Sequence, residues 1–459
     1  MVSDNIFRTY DIRGKVPAEI NEDVAFKIGK AFGSYARWQG AEKLAVGMDN
    51  RSSSPVLNKS IIQGLCDAGC AVVNIGLVVT PILYYALNSL EVDGGIMITG
   101  SHNPGDENGF KIALGKGTIY GEDIQELKRI IVEEDYLTGE GTVLDNEKLV
   151  NDYLDMLRGK IQLGPYKLKV AIDCGNGTAG LFAEKFLTSL GCEVIPLYCV
   201  SDSSFPNHHP DPVKSSNLRD LVKVVKESGA DLGVAYDGDG DRIGVVDESG
   251  EIIWGDKLMA LYWREILPKY PGTQAIIEVK CSQSLVDEVI KLGGRPMFYK
   301  TGHSLIKAKM KELGAVFTGE MSGHMFFADE YYGFDDAFYA TGRLLRILSQ
   351  SSKSLSELLS DVPQYCSTGE TRVPCSDEHK FDIVNQLKEE LAAEYEIVDV
   401  DGVRVLFPDG WGLVRCSNTQ PVLVARCEAK TEEGLNEIAD FMKEKLCRYS
   451  QVGQFEWEY

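Results

Sequence analysis

The chain has 459 residues, 44% of them hydrophobic and 25% charged, with a formal net charge of -22. That is the make-up of a globular protein of about three or four domains, and its acidity excludes nucleic acid and anionic membranes as partners. The same charge repels phosphorylated ligands, so an enzyme of this composition that handles phosphate must gather basic residues inside its motifs.

The chain opens without a basic segment leading into an apolar core, so no secretory signal is expected. No apolar run approaches the ~20 residues that span a bilayer. The 11 cysteines are scattered, with no CxxC pair, which fits a reducing cytoplasm better than a disulfide framework or a zinc site. Val24, Ile28, Ala31, Phe32 and Tyr35 share one helical face, as do Ile124, Leu127, Ile130 and Ile131.

A degenerate triple repeat then organises the chain. Each copy starts with a short apolar run, at 44–49, 169–173 and 275–279, followed by a helix-compatible stretch. A second run follows at 71–75, 193–197 and 296–299. A third, at 95–98, 231–235 and 315–317, leads into a polar, glycine-bearing loop. Short apolar strands alternating with helices imply α/β units, whose chemistry collects beyond the carboxyl ends of strands. The tail differs. Phe381, Val384, Leu387 and Leu391 mark a helix, strands are expected at 397–400, 403–407, 413–416 and 422–427, and a helix at 435–446 closes a small antiparallel α+β domain. The expected domains are 1–147, 148–249, 250–365 and 366–459.

Four loops carry chemistry. Asp237-Gly238-Asp239-Gly240-Asp241-Arg242 sets three carboxylates at alternate positions in a glycine frame, which suits a hard cation. An EF-hand is disfavoured because Arg242 stands where that loop needs glycine, and because the flanks read as strands. Thr99-Gly100-Ser101-His102-Asn103-Pro104 offers a hydroxyl without a GxSxG elbow, and by itself it fits a simple turn as well as a nucleophile. Beside a metal loop at an equivalent strand end, phosphoryl chemistry is the stronger reading, with Lys111 a nearby cation. Gly319-Glu320-Met321-Ser322-Gly323-His324 could hold vicinal sugar hydroxyls, and Arg415-Cys416-Ser417-Asn418-Thr419-Gln420 a phosphate dianion. Each of these two is also compatible with an ordinary polar turn. Rival readings are a phosphatase, in which water takes the phosphoryl group, and a calcium-responsive binding module.

Together, TGSHNP, DGDGDR, GEMSGH and RCSNTQP resemble, in order, the phosphoserine, metal, sugar and phosphate loops of the α-D-phosphohexomutase family. With Met321 and the start RTYDIRG, they resemble its phosphomannomutase/phosphoglucomutase branch, with phosphoglucosamine mutase as the alternative. Gln420 departs from the glutamate common in the family. The resemblance implies three repeated mixed-sheet α/β domains plus a C-terminal domain like TATA-binding protein, around a central cleft. It implies a phosphorylated Ser101 that also completes the shell of a Mg²⁺ (magnesium) ion on Asp237, Asp239 and Asp241. Glu320 and Ser322 would take the sugar's O3 and O4 hydroxyls. Arg415, Ser417, Asn418 and Thr419 would hold the phosphate that is not transferred. Tyr10, Arg13, Lys111, Arg242, Lys280, His303 and His324 match other cleft positions, with Lys111 and His303 the candidates for proton transfer. Glucose 1,6-bisphosphate or mannose 1,6-bisphosphate would be intermediate and activator. Small sugar phosphates would be the partners of a cytoplasmic monomer or homodimer.

Overall fold

The computed structural model describes residues 2–417 and 420–458. Two compact units emerge: the chain up to Ile266 with His303–Ser360, and Leu267–Gly302 with the chain from Asp361 on.

Two sheets of the first unit repeat one plan. In one, Gly94–Ile98, Lys43–Met48 and Ala71–Leu77 lie side by side and parallel. In the other, Leu232–Tyr236, Lys169–Asp173 and Glu193–Leu197 take the same order. In each, the chain returns after the third strand as an antiparallel neighbour, Glu107–Leu114 or Ile243–Asp247. Both sheets are therefore mixed. The middle strands are buried on nearly every residue, which is why they read as continuous apolar runs rather than alternating ones. The loops that carry Ser101 and Asp237, Asp239 and Asp241 are the two equivalent strand-to-strand connections.

The first long helix, Glu22–Trp38, shows why the local sequence folds as it does. Asn21 caps it by accepting from the Val24 amide, and Glu22 and Asp23 meet the positive end of its dipole. Its apolar stripe of Val24, Ile28, Ala31 and Phe32 is wholly buried.

The third repeat departs from the plan. Gln274–Glu278 and Arg295–Tyr299 form a parallel pair in the second unit. The strand expected at 315–317 is Phe317–Gly319, which makes a hairpin with Met325–Phe327 in the first unit. The shift has a local cause. Helix His303–Leu313 ends in left-handed Gly314, with the Ala315 amide bonded back to the Met310 carbonyl, and that cap uses up two residues.

In the tail, Val422–Ala429, Gly410–Cys416, Val403–Phe407 and Ile397–Val398 are successive antiparallel neighbours, backed by helices Lys380–Ala392 and Glu432–Cys447. The strand expected at 413–416 starts at Gly410. Cys366–Ser367 and Thr371–Pro374, which have no clear pattern, also pair with Val422–Ala429. Among the described residues no helix is long and apolar enough to cross a membrane.

Candidate active site

Ser101 sits just past strand Gly94–Ile98, buried, at φ +48°, a left-handed conformation uncommon for a serine. The loop is held against that strain. Thr99 Oγ1 accepts from the Ser101 amide at 2.8 Å, and Asp49 accepts from the Gly100 amide at 3.0 Å. Arg51, itself buried, donates to the carbonyls of Ser101, Asn103, Pro104 and Glu107. Sequence reasoning missed Arg51 and Asp49. The only local signal was a charged Asp-x-Arg following the strand Lys43–Met48.

The Ser101 hydroxyl points at the metal loop and donates to Asp237 Oδ2 at 2.8 Å, with His102 Nδ1 at 3.1 Å. The metal loop folds back on itself: Asp237 Oδ1 accepts the amides of Asp241 and Arg242 at 3.1 and 3.2 Å. Asp239 lies at the N-terminus of helix Thr80–Ser89. Its carbonyl accepts the Thr80 amide and its carboxylate the Thr80 hydroxyl, which places the charge at the dipole's positive end. Gly238 packs directly on Ser101: a Cβ there would lie 2.3 Å from the Ser101 carbonyl oxygen. Only glycine lets the two loops approach this closely.

Lys111 runs from strand Glu107–Leu114 into this group, 2.7 Å from Asp239 Oδ2 and in contact with Asp241 Oδ2. Burial disfavours its charge, but Asp239, Asp241 and Asp237 outweigh burial and raise its pKa, so it stays a cation. Burial likewise opposes ionisation of Asp239, and there Lys111 wins and holds it well below the usual carboxylate range. Asp237 differs, because Arg242 and Lys111 oppose the rise there without overcoming it. Burial, then Asp239 and Asp241, push it well above that range. Oxygens Oδ1 of Asp239 and Asp241 are buried without a hydrogen-bond partner among the described residues. The three carboxylates present ligand atoms within 4.8 Å of one another. An all-oxygen donor set with orphaned, mutually repelling carboxylates fits a hard divalent cation, which would relieve both costs.

The sugar loop is the turn of the hairpin Phe317–Gly319 to Met325–Phe327, closed by the Glu320 amide on the His324 carbonyl at 2.8 Å. It meets the exit of the metal loop, where the Ile243 amide donates to Gly323 and Arg242 bridges to His324. Arg242 Nε donates to His324 Nε2 at 2.9 Å, which leaves the His324 proton on Nδ1, 3.0 Å from Asp335. Asp335 also pairs with Lys307 at 2.9 Å. Asp335 and Lys307 were not singled out from the sequence. His303 stacks on His324 at 5.4 Å between ring centroids and meets the edge of Tyr10 at 5.5 Å. Among the described residues neither His303 ring nitrogen has a hydrogen-bond partner, and burial, then Lys307, drive its pKa well below the ordinary value. Arg13 reaches from strand Ile12–Lys15 to Asn103 Oδ1 at 3.0 Å, held by Asp11. Glu320 is buried and Ser322 is half-buried.

The first unit thus brings together Tyr10, Arg13, Ser101, Lys111, the three aspartates, Arg242, His303, Glu320, Ser322 and His324. The second unit holds the rest. Lys280 Nζ lies 2.7 Å from Glu370 and 3.4 Å from Glu278, and it draws the Glu370 pKa down to about 2. Arg415 Nε pairs with Asp401 at 2.8 Å. Ser417 accepts the Gln420 amide at 3.1 Å, and buried Lys380 donates to the Ser417 and Gln420 carbonyls at 2.6 and 3.1 Å. Lys380, another residue the sequence did not flag, therefore ties down both ends of the phosphate loop. Asn418 and Thr419 lie outside the described residues.

Comparison with known proteins adds a second line. Models of phosphoglucomutase/phosphomannomutase α/β/α domains I, II and III match residues 4–138, 151–250 and 254–365, and that of the C-terminal domain matches 370–445. The chain is 46% identical over 446 residues to a phosphomannomutase/phosphoglucomutase of Pseudomonas putida, covering 97% of this chain and 96% of that one. It is 42% identical over 447 residues to a phosphoglucomutase of Neisseria meningitidis, covering 96% of each. The crystal structure of a phosphoglucomutase/phosphomannomutase family protein from Burkholderia thailandensis superposes with a TM-score of 0.93 at 42% identity, covering 99% of this chain and 100% of that one.

Proposed function

The chain belongs to the phosphoglucomutase/phosphomannomutase family and is an isomerase of hexose phosphates, and we propose that Ser101 carries the phosphoryl group between the sugar's two positions. The observation that carries this is the Ser101 hydroxyl, buried and 2.8 Å from Asp237 in the metal loop.

In the first transfer the bond from phosphorus to Ser101 Oγ breaks and one to the sugar's O6 forms, giving a hexose 1,6-bisphosphate from hexose 1-phosphate. The O6 proton leaves to a base and Ser101 Oγ gains one. In the second, after the bisphosphate turns over in the site, the bond from phosphorus to O1 breaks and one to Ser101 Oγ forms; Oγ gives up its proton, O1 gains one, and hexose 6-phosphate departs. His303 suits the base role, because burial keeps its imidazole neutral with both nitrogens free of hydrogen bonds. Lys111 suits charge stabilisation instead, because its carboxylate neighbours keep it protonated. Arg242 fixes the tautomer of His324 and adds positive charge beside the phosphoryl site.

A phosphoserine brings roughly -1.5 to -2 of charge into a pocket that already holds three carboxylates against Lys111 and Arg242. Asp237, Asp239 and Asp241 would hold Mg²⁺, which when bound supplies charge neutralisation on the phosphoryl oxygens. Glu320 and Ser322 are assigned to O3 and O4, which glucose and mannose share, and Tyr10, Arg13 and His324 line the same site. Arg415, Ser417, Asn418 and Thr419 are assigned to the phosphate that is not transferred, and Lys280 to substrate binding. Glucose or mannose 1,6-bisphosphate would serve as activator by reloading Ser101.

A coupled assay with mannose 1-phosphate, glucose 1-phosphate and glucosamine 1-phosphate tests this reading. The first two are expected to turn over at comparable rates and the third more slowly, with all three lost in Ser101→Ala. Full turnover by Ser101→Ala would overturn it.

A further inference from the structure

Two cysteines that look unrelated in sequence meet under the metal loop. Cys174 directly follows strand Lys169–Asp173, and Cys199 lies two residues past its parallel neighbour Glu193–Leu197. Asp173 is in register with Leu197, and the Cys174 amide bonds to the Leu197 carbonyl at 3.2 Å. Left-handed Tyr198 then swings Cys199 inward, so that its Sγ lies 3.5 Å from Cys174 Sγ. Cys174 is buried, whereas Cys199 is partly exposed. A disulfide needs ~2.05 Å between sulfurs, so side-chain rotation with a small backbone shift joins them.

That shift would not stay local. The Cys174 carbonyl accepts the Gly177 amide at 2.7 Å, and the next amide, Thr178, donates to the Gly238 carbonyl at 2.9 Å. Gly238 is the residue packed on Ser101. The same turn is tied to the first sheet, where Asn50 Nδ2 donates to the Asn176 carbonyl and to Ser201 Oγ, both at 2.8 Å. The thiol pair therefore sits on the platform that seats the metal loop against the phosphoserine loop.

We propose that Cys174 and Cys199 are a reversible redox site, whose disulfide displaces the metal loop and lowers mutase turnover. Only the loss of turnover rests on the Ser101 reading; the bond itself does not. The oxidant class is a peroxide. The partly exposed Cys199 sulfur attacks the O–O bond and becomes a sulfenic acid, releasing water. The Cys174 sulfur then attacks Cys199, the S–O bond breaks, and the Cys174 proton leaves with hydroxide as a second water. Two thiols are oxidised by two electrons and one hydrogen peroxide is reduced to two waters. Cys199 first, then burial, raises the Cys174 pKa well above the ordinary thiol value, so the closing step should speed up with pH.

The test is limited hydrogen peroxide on the full chain, followed by thiol titration, peptide mass mapping and the mutase assay. The 11 free thiols are expected to fall by two, with a peptide bridging Cys174 and Cys199. Turnover should fall by about tenfold or more, as expected when reacting groups shift by part of an ångström, and dithiothreitol should restore it. Cys199→Ser should keep basal turnover and form no bridge. Cys174→Ser should stop at the Cys199 sulfenic acid, detectable by a dimedone probe. No bridge between these two residues, a bridge only elsewhere, or an oxidised protein as active as the reduced one would each overturn the proposal. The bridge is read by mass, so its absence is distinguishable from a failure of the Ser101 mechanism.

Discussion

Replacing Gly238 by alanine probes the contact that brings the two reacting loops together. The added Cβ would sit 2.3 Å from the Ser101 carbonyl oxygen and 3.2 Å from Pro210 Cγ. Ordinary contact begins near ~3.5 Å, so the metal loop and the phosphoserine loop must part by about 1 Å. Neither has slack. Arg51 fixes the Ser101 carbonyl from behind, and the Thr178 amide fixes the Gly238 carbonyl. A misplacement of that size costs on the order of a hundredfold in rate, while overpacking costs about 1–3 kcal/mol of stability. Turnover with glucose 1-phosphate is expected to drop by about that factor, with a cooperative urea transition retained at somewhat lower midpoint. A variant that turns over within about twofold of the parent would refute the idea that this approach positions the chemistry.

Arg51→Met leaves four loop carbonyls without their donor and should cost about 3–5 kcal/mol in urea unfolding together with most activity; Arg51→Lys should rescue little, because an ammonium cannot span the fork. Chelation with EDTA should abolish turnover, and added Mg²⁺ should restore it in the parent but not in Asp239→Ala, with circular dichroism unchanged; Mg²⁺-independent turnover would remove the metal assignment. His208 pairs with Asp173 at 3.0 Å, and although burial opposes its charge, that partner raises its pKa in the fold. The stability it adds is therefore complete below the unfolded value of ~6.5 and lost as pH rises through the folded one. His208→Asn should flatten the stability profile across that window, and an unchanged profile would contradict the pairing.

What the sequence made legible was local. Strands buried on both faces read as apolar runs, and the structure has the segments carrying Ser101, the three aspartates and Glu320 as the loops that follow strands. What it hid was non-local. Lys111 was legible only as a cation near Ser101, because its partners Asp239 and Asp241 lie 128 and 130 residues away. Arg51 reaches Ser101 across 50 residues, and Lys380 reaches Ser417 across 37. Asp335 and Lys307 gain meaning only by facing His303 and His324. The third repeat looked like the other two because its runs are similarly spaced. A helix cap at Gly314 and a two-stranded pairing at Gln274–Glu278 are set by hydrogen bonds that the runs do not display. The short strands Cys366–Ser367 and Thr371–Pro374 have too few residues to show a period. Cys174 and Cys199, 25 residues apart, appeared scattered until adjacent strands brought them together.

The proposed chemistry stands or falls with Ser101 as the phosphoryl carrier. Its most direct test is intact-mass analysis with peptide mapping after incubation with glucose 1,6-bisphosphate and Mg²⁺. A species heavier by one phosphoryl group is expected, mapped to Ser101, discharged by hexose 1-phosphate and absent in Ser101→Ala. A phosphoryl group mapped to another residue, or none at all in a preparation that turns over, would contradict it.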